Sequence, residues 1–110
     1  MATIDDFQKL EIRVGIIVNV EEHGKARKPM YVLKIDFGKE TGMRTIVAGI
    51  KEEYTEEELL GLRIACLLNI DAKAIAGIES QGMILAAEDA SGKIAVLTTS
   101  KPVEAGSKVR

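Results

Sequence analysis

The chain has 110 residues, with 15 Lys and Arg against 17 Asp and Glu and a formal net charge of −2. That length suits one compact domain over residues 1–110, and burying roughly two thirds of the unfolded surface gives a core without staples. One cysteine and one histidine exclude an internal disulfide framework, a cysteine-based zinc site and a set of histidine ligands. The acidic balance also argues against binding nucleic acid over the whole surface, which usually demands a strongly basic protein.

Asp5 and Asp6 lie where a secretory signal would need basic and then apolar residues. Apolar runs such as Ile64–Leu68 have strand length and fall far short of a membrane span. A cytoplasmic protein with no membrane insertion is the expectation. Cys66 lies inside that run, so it reads as a buried, inert thiol.

In chain order, Thr3 with Asp6 forms a weak capping box that opens a helical turn, and Phe7 and Leu10 can pin that turn to the core. Leu10, Ile12, Val14, Ile16 and Val18 alternate with Glu11, Arg13, Gly15, Ile17 and Asn19, the period-two pattern of a half-buried strand. Gly15 marks a bulge, a bend or a close backbone approach. After the loop from Glu22 to Pro29, Tyr31, Leu33, Ile35 and Phe37 define a second strand. Gly38 to Gly42 reads as a turn and Arg44 to Ala48 as a third strand. Thr55-Glu56-Glu57-Glu58 is a capping box for a short helix that stops near Gly61. Strands are expected at Arg63–Asn69, Met83–Glu88 and Ile94–Thr98, with a turn at Ala90–Lys93, and Val103 to Val109 closes the chain. That makes five or six strands, and the fold class expected is all-β: a five-stranded Greek-key OB-fold barrel, with a short helix between strands three and four and short terminal extensions.

The candidates for catalysis are poor. His23 lies beside Glu21, Glu22 and Lys25 and reads as a solvated or locally hydrogen-bonded side chain. Ser80-Gln81-Gly82 lacks the nucleophile-elbow pattern, and no phosphate-binding glycine motif is present. The acidic run of Glu52, Glu53, Glu56, Glu57 and Glu58 reads as a helix start and its solvated approach rather than a metal site. No catalytic residue, metal or cofactor is expected. Lys25, Arg27, Lys28 and Lys34 follow one another without an intervening acid, and Arg13, Arg44 and Lys73 are candidates to join them. A basic loop on a small barrel suits a phosphate backbone, although charge alone equally describes ordinary solvated surface. The segment Ile75–Met83 sets small residues, a Ser-Gln pair and Met83 between strands. It fits a loop that grips a base or ribose edge, and also a turn that places Met83 in the core.

The chain resembles the stand-alone tRNA-binding proteins related to the C-terminal extension of methionyl-tRNA synthetase, a module shared with the endothelial monocyte-activating polypeptide and its yeast counterpart. The resemblance rests on Asp6-Phe7 with Lys9-Leu10, Ile12-Arg13-Val14-Gly15, Arg44 to Ile50, Tyr54-Thr55, Glu57-Glu58-Leu59, Asn69-Ile70 and Gly77 to Ala87. It implies an OB-fold, a homodimer and structure-specific, non-catalytic binding of tRNA at its outside corner and elbow. Carried over by position, Arg13, Lys28, Arg44, Asn69, Lys73, Ser80, Gln81, Gly82 and Met83 are the expected binding residues, and the basic loop adds Lys25 and Arg27. The loop from Lys25 to Tyr31, with its Pro29, is instead similar to that of the CsaA family of dimeric OB-fold export chaperones, and the turn Gly38–Gly42 leans the same way. The intact Arg44–Gly49 and Ser80–Met83 segments point to the tRNA binders.

A tRNA-binding homodimer is thus the first expectation, with Phe7, Val103 and Val109 as dimer contacts and a methionyl-tRNA synthetase as a possible partner in trans. The second is a CsaA-type dimer whose Met30, Tyr31 and Met83 receive unfolded segments of exported proteins.

Overall fold

The Thr3 hydroxyl accepts from the Asp6 amide, and the Asp6 carboxylate accepts from the Thr3 amide at 2.9 Å. Together they satisfy two donors left free at a helix start. This cap opens α1 (Ile4–Gln8) in the computed structural model, which describes all 110 residues. The long strand β1 (Ile12–Glu22) follows. Its first half pairs antiparallel with β4 (Arg63–Leu67), and its second half pairs with β2 (Tyr31–Asp36).

The inward face of β1 differs from the alternation expected for it. Ile17 is 1% exposed and belongs to the core, whereas Val18 is 44% exposed. Two features cause this. Gly15 faces inward, where a Cβ would lie 2.6 Å from the Phe37 ring, so the glycine makes room for Phe37 and Ile35. A bulge between Ile17 and Asn19 then shifts the register and brings Val20 into the core. The close approach at Gly15 is as expected; the bulge falls farther along.

β2 sends Tyr31, Leu33 and Ile35 inward, with Phe37 just beyond. The expected turn at Gly38 closes as one helical turn, α2 (Gly38–Thr41), before β3 (Met43–Ala48). A second capping box, with the Thr55 amide donating to Glu58 at 2.8 Å, opens α3 (Glu56–Leu59), whose Leu59 is completely buried and plugs one end of the barrel. Burial pushes the Cys66 thiol up to about 12, so it is inert near neutral pH.

Beyond β4, the segment expected as a loop contains a hairpin, β5 (Lys73–Ile75) and β6 (Ile78–Ser80). Its two-residue turn places Ala76 at φ +48° and Gly77 at φ +88°. The expected strand from Met83 to Glu88 divides into β7 (Met83–Ile84) and β8 (Ala86–Glu88), because Leu85 donates to Ala65 while β8 pairs with β9 (Ile94–Val96). The main sheet runs β3-β2-β1-β4-β7. Its ends meet where the Gln81 amide donates to the Thr45 carbonyl at 2.8 Å, giving a nearly closed, all-β, OB-like barrel. The C-terminal segment lies along the free part of β1, where Val14 donates to Ser107 and Val109 to Ile12. No helix is long and apolar enough to cross a membrane.

Candidate nucleic-acid interface

The outer face of the β1-β2-β3 sheet carries residues in register. Asn19 opposes Lys34, which opposes Thr45, and Glu21 opposes Val32, which opposes Val47. The β5–β6 hairpin stands over this face and leaves a groove of about 510 Å3, with Val32, Lys34 and Thr45 on the sheet side and Ile78, Glu79 and Gln81 on the hairpin side. The Lys34 ammonium donates to the Thr45 hydroxyl at 2.6 Å. Glu21 also lines the groove. None of these residues is aromatic; Tyr31 and Phe37 are spent on the core. The groove therefore offers apolar platforms, one ammonium and two carboxylate acceptors, which suit base amines or ribose hydroxyls. It does not suit a bare phosphate.

The exposed cations stand at the rim. Lys25, Arg27 and Lys28 are exposed on the β1–β2 loop, next to the Glu21–Val32 end of the groove. Lys73 is exposed on β5, and the loop and the hairpin meet through His23. His23, expected to be solvated or locally hydrogen-bonded, takes the second form: it is 7% exposed and accepts from the Lys25 amide at 3.2 Å.

The signature segment is turned largely inward. Ser80 is 5% exposed; its hydroxyl accepts from the Val47 amide at 3.0 Å and donates to the Gly82 carbonyl at 3.1 Å. The Gln81 side-chain oxygen accepts from the Thr45 amide at 2.8 Å, and only part of this side chain reaches the groove. Gly82 sits at φ +152°, where a Cβ would come within 3.0 Å of the Leu67 carbonyl. Arg44 faces away from Thr45 and donates from one nitrogen to the carbonyls of Leu68 and Gln81, both at 3.1 Å. These four residues seal the seam between β3 and the hairpin.

Three expected residues lie away from the groove. Arg13 pairs with Glu11 and donates to the Gly106 carbonyl at 3.1 Å. The Asn69 amide ties the Lys9 carbonyl, at 2.6 Å, to the Glu11 amide, at 2.7 Å. Met83 is 45% exposed on β7, opposite Leu67. The groove is also lined by Lys34, which belongs to the basic run, by Thr45 and Val32, which are not among the expected binding residues, and by Ile78 of the Ile75–Met83 segment. The outward alternation of β2 identifies the first and third. No group of three or more His, Cys, Asp or Glu side chains converges as a metal-ligand set.

Residues 12–108 match the family described as "Putative tRNA binding domain". The chain belongs to the tRNA-binding domain family. Methionine–tRNA ligase of Pyrococcus horikoshii is 46% identical over 106 residues, which are 96% of this chain and 14% of the ligase. The tRNA-binding domain thus spans about a seventh of the curated relatives it matches. Among solved structures, the CsaA chaperone protein from Picrophilus torridus superposes with a TM-score of 0.91 at 37% identity, covering 100% of both chains. The MetRS-related protein from Pyrococcus horikoshii superposes at 0.90 with 33% identity, covering 100% of this chain and 98% of the other. The tRNA-binding domain thus has OB-like relatives of both kinds anticipated from its sequence.

Proposed function

We propose that this chain is a non-catalytic tRNA-binding protein that works as a homodimer, in the cytoplasm, in trans with a methionyl-tRNA synthetase. The observation that carries the reading is the basic loop of Lys25, Arg27 and Lys28 at the rim of a polar groove, in a chain matched by the tRNA-binding family along residues 12–108. The cations displace counterions from the phosphate backbone, and the groove receives neutral edges beside it. With no aromatic platform in the groove, recognition rests on backbone shape and polar contacts rather than on stacked single-stranded bases. The homodimer is supported by apolar side chains that a lone chain leaves in water: Ile4 is 69% exposed, Met83 45% and Leu97 43%. Ile4, Phe7 and Val109 also line a groove of about 290 Å3 between α1 and the C-terminal segment. Pairing two basic rims gives one longer footprint.

A second reading, a chaperone-like dimer that binds unfolded segments, is favoured by the full-length superposition on the CsaA chaperone protein. Filter-binding titration with bulk tRNA, run beside binding of an unfolded peptide and sedimentation of the free protein, separates the two. The first reading predicts a dimer that retains tRNA and ignores the peptide. Peptide binding without tRNA binding contradicts it.

A further inference from the structure

His23 stands at the junction of the two segments that carry the rim cations. Its backbone amide donates to the Met30 carbonyl at 2.9 Å, which closes the neck of the β1–β2 loop. Its ring has one partner on each side. Nε2 lies 2.8 Å from the Ile75 carbonyl on β5, and Nδ1 lies 3.2 Å from the Lys25 amide. A carbonyl only accepts and an amide N–H only donates, so the two contacts fit the tautomer that carries its hydrogen on Nε2. The His23 side chain is buried and both bonds are partly so. Ile75 immediately precedes Ala76, held at φ +48° in the hairpin turn. The imidazole therefore grips the hairpin beside its most constrained residue.

From this geometry we infer that His23 is a positioning residue for tRNA. It locks the loop of Lys25, Arg27 and Lys28 against the β5–β6 hairpin, so that the rim and Lys73 meet the RNA backbone as one preorganised surface. The inference rests on the tRNA-binding reading. Without the clamp the cations remain but the loop samples other positions, so fewer phosphates are neutralised at once and the cost of ordering falls on binding.

The test uses the full chain and three variants. A glutamine amide reaches the Nε2 position and keeps the donor to Ile75. An asparagine reaches only the Nδ1 position, and alanine keeps neither. The His23→Ala variant is expected to bind bulk tRNA about tenfold more weakly and to flatten the dependence of log affinity on log salt by about one. His23→Gln restores affinity and slope, and His23→Asn does not. Hydrogen exchange without RNA reads the clamp independently. In His23→Ala, the amides of residues 23 and 25 and those of residues 73–80 exchange faster together, while those of β1 and β4 keep wild-type protection.

Binding by His23→Ala with unchanged affinity and slope overturns the inference while wild-type tRNA binding stands. Equal loss of protection across the whole barrel also overturns it, because His23 is then a general stabiliser. If the wild type itself does not retain tRNA, the tRNA-binding reading has failed. Coupled loosening of the two segments then shows that the clamp orders them, and its assignment to tRNA falls.

Discussion

The seam residues distinguish structural from ligand-binding use of one motif. Ser80→Ala leaves the Val47 amide without its partner, and an unsatisfied buried donor costs about 1–3 kcal/mol. Arg44→Ala removes two charge-assisted bonds across the same seam, with an expected cost of about 1–2 kcal/mol given its partial exposure. Chemical denaturation checks both, and the folded variants should retain most of their tRNA affinity. Full stability with lost binding would instead make these residues RNA contacts. Tyr31 makes a separate prediction. Burial, reinforced by Glu56, holds its phenol above the usual value of 10.0, and the neutral hydroxyl donates to the Tyr54 carbonyl at 2.7 Å. Because the folded-state value is raised, this stability is fully present below pH 10, where the unfolded phenol ionises, and is lost as pH rises through the folded value. Tyr31→Phe should cost about 1 kcal/mol at neutral pH and abolish that alkaline loss. The Ser-Gln pair is legible in the sequence as unusual. Its inward direction is not, because its partners Val47 and Thr45 lie 33 and 36 positions away.

Elements whose cause is local were legible, and elements set by distant packing were not. Both capping boxes are three-residue relationships and formed as the sequence implied. The inward face of β1 depends instead on Phe37 filling the space at Gly15 and on the bulge past Ile17, which a strict alternation does not encode. Gly15→Ala should cost about 1–3 kcal/mol by forcing a Cβ into Phe37. The β5–β6 hairpin is not legible in the sequence because its turn is Ala-Gly, without the asparagine or aspartate usual at a first position of positive φ. Ala76→Gly should relieve that strain and raise stability by about 0.5–1 kcal/mol in urea unfolding. Destabilisation by this change would mean that the turn is not strained.

For the molecule as a whole, the net charge of −2 conceals a division of charge. Lys25, Arg27 and Lys28 share one loop, while Glu56, Glu57 and Glu58 cap α3. The fold class and this charge division could both be read from the chain. The groove could not, because it exists only where the hairpin stands over the outer sheet face. A binder of this kind takes its affinity from a few local cations and is strongly sensitive to salt. The most direct test compares bulk tRNA binding across a salt series for the wild type and for the triple variant Lys25→Ala, Arg27→Ala, Lys28→Ala. The triple variant is expected to fold and to bind much more weakly, with a slope of log affinity against log salt shallower by about 2–3. A folded variant that matches the wild type in both affinity and slope would contradict this expectation.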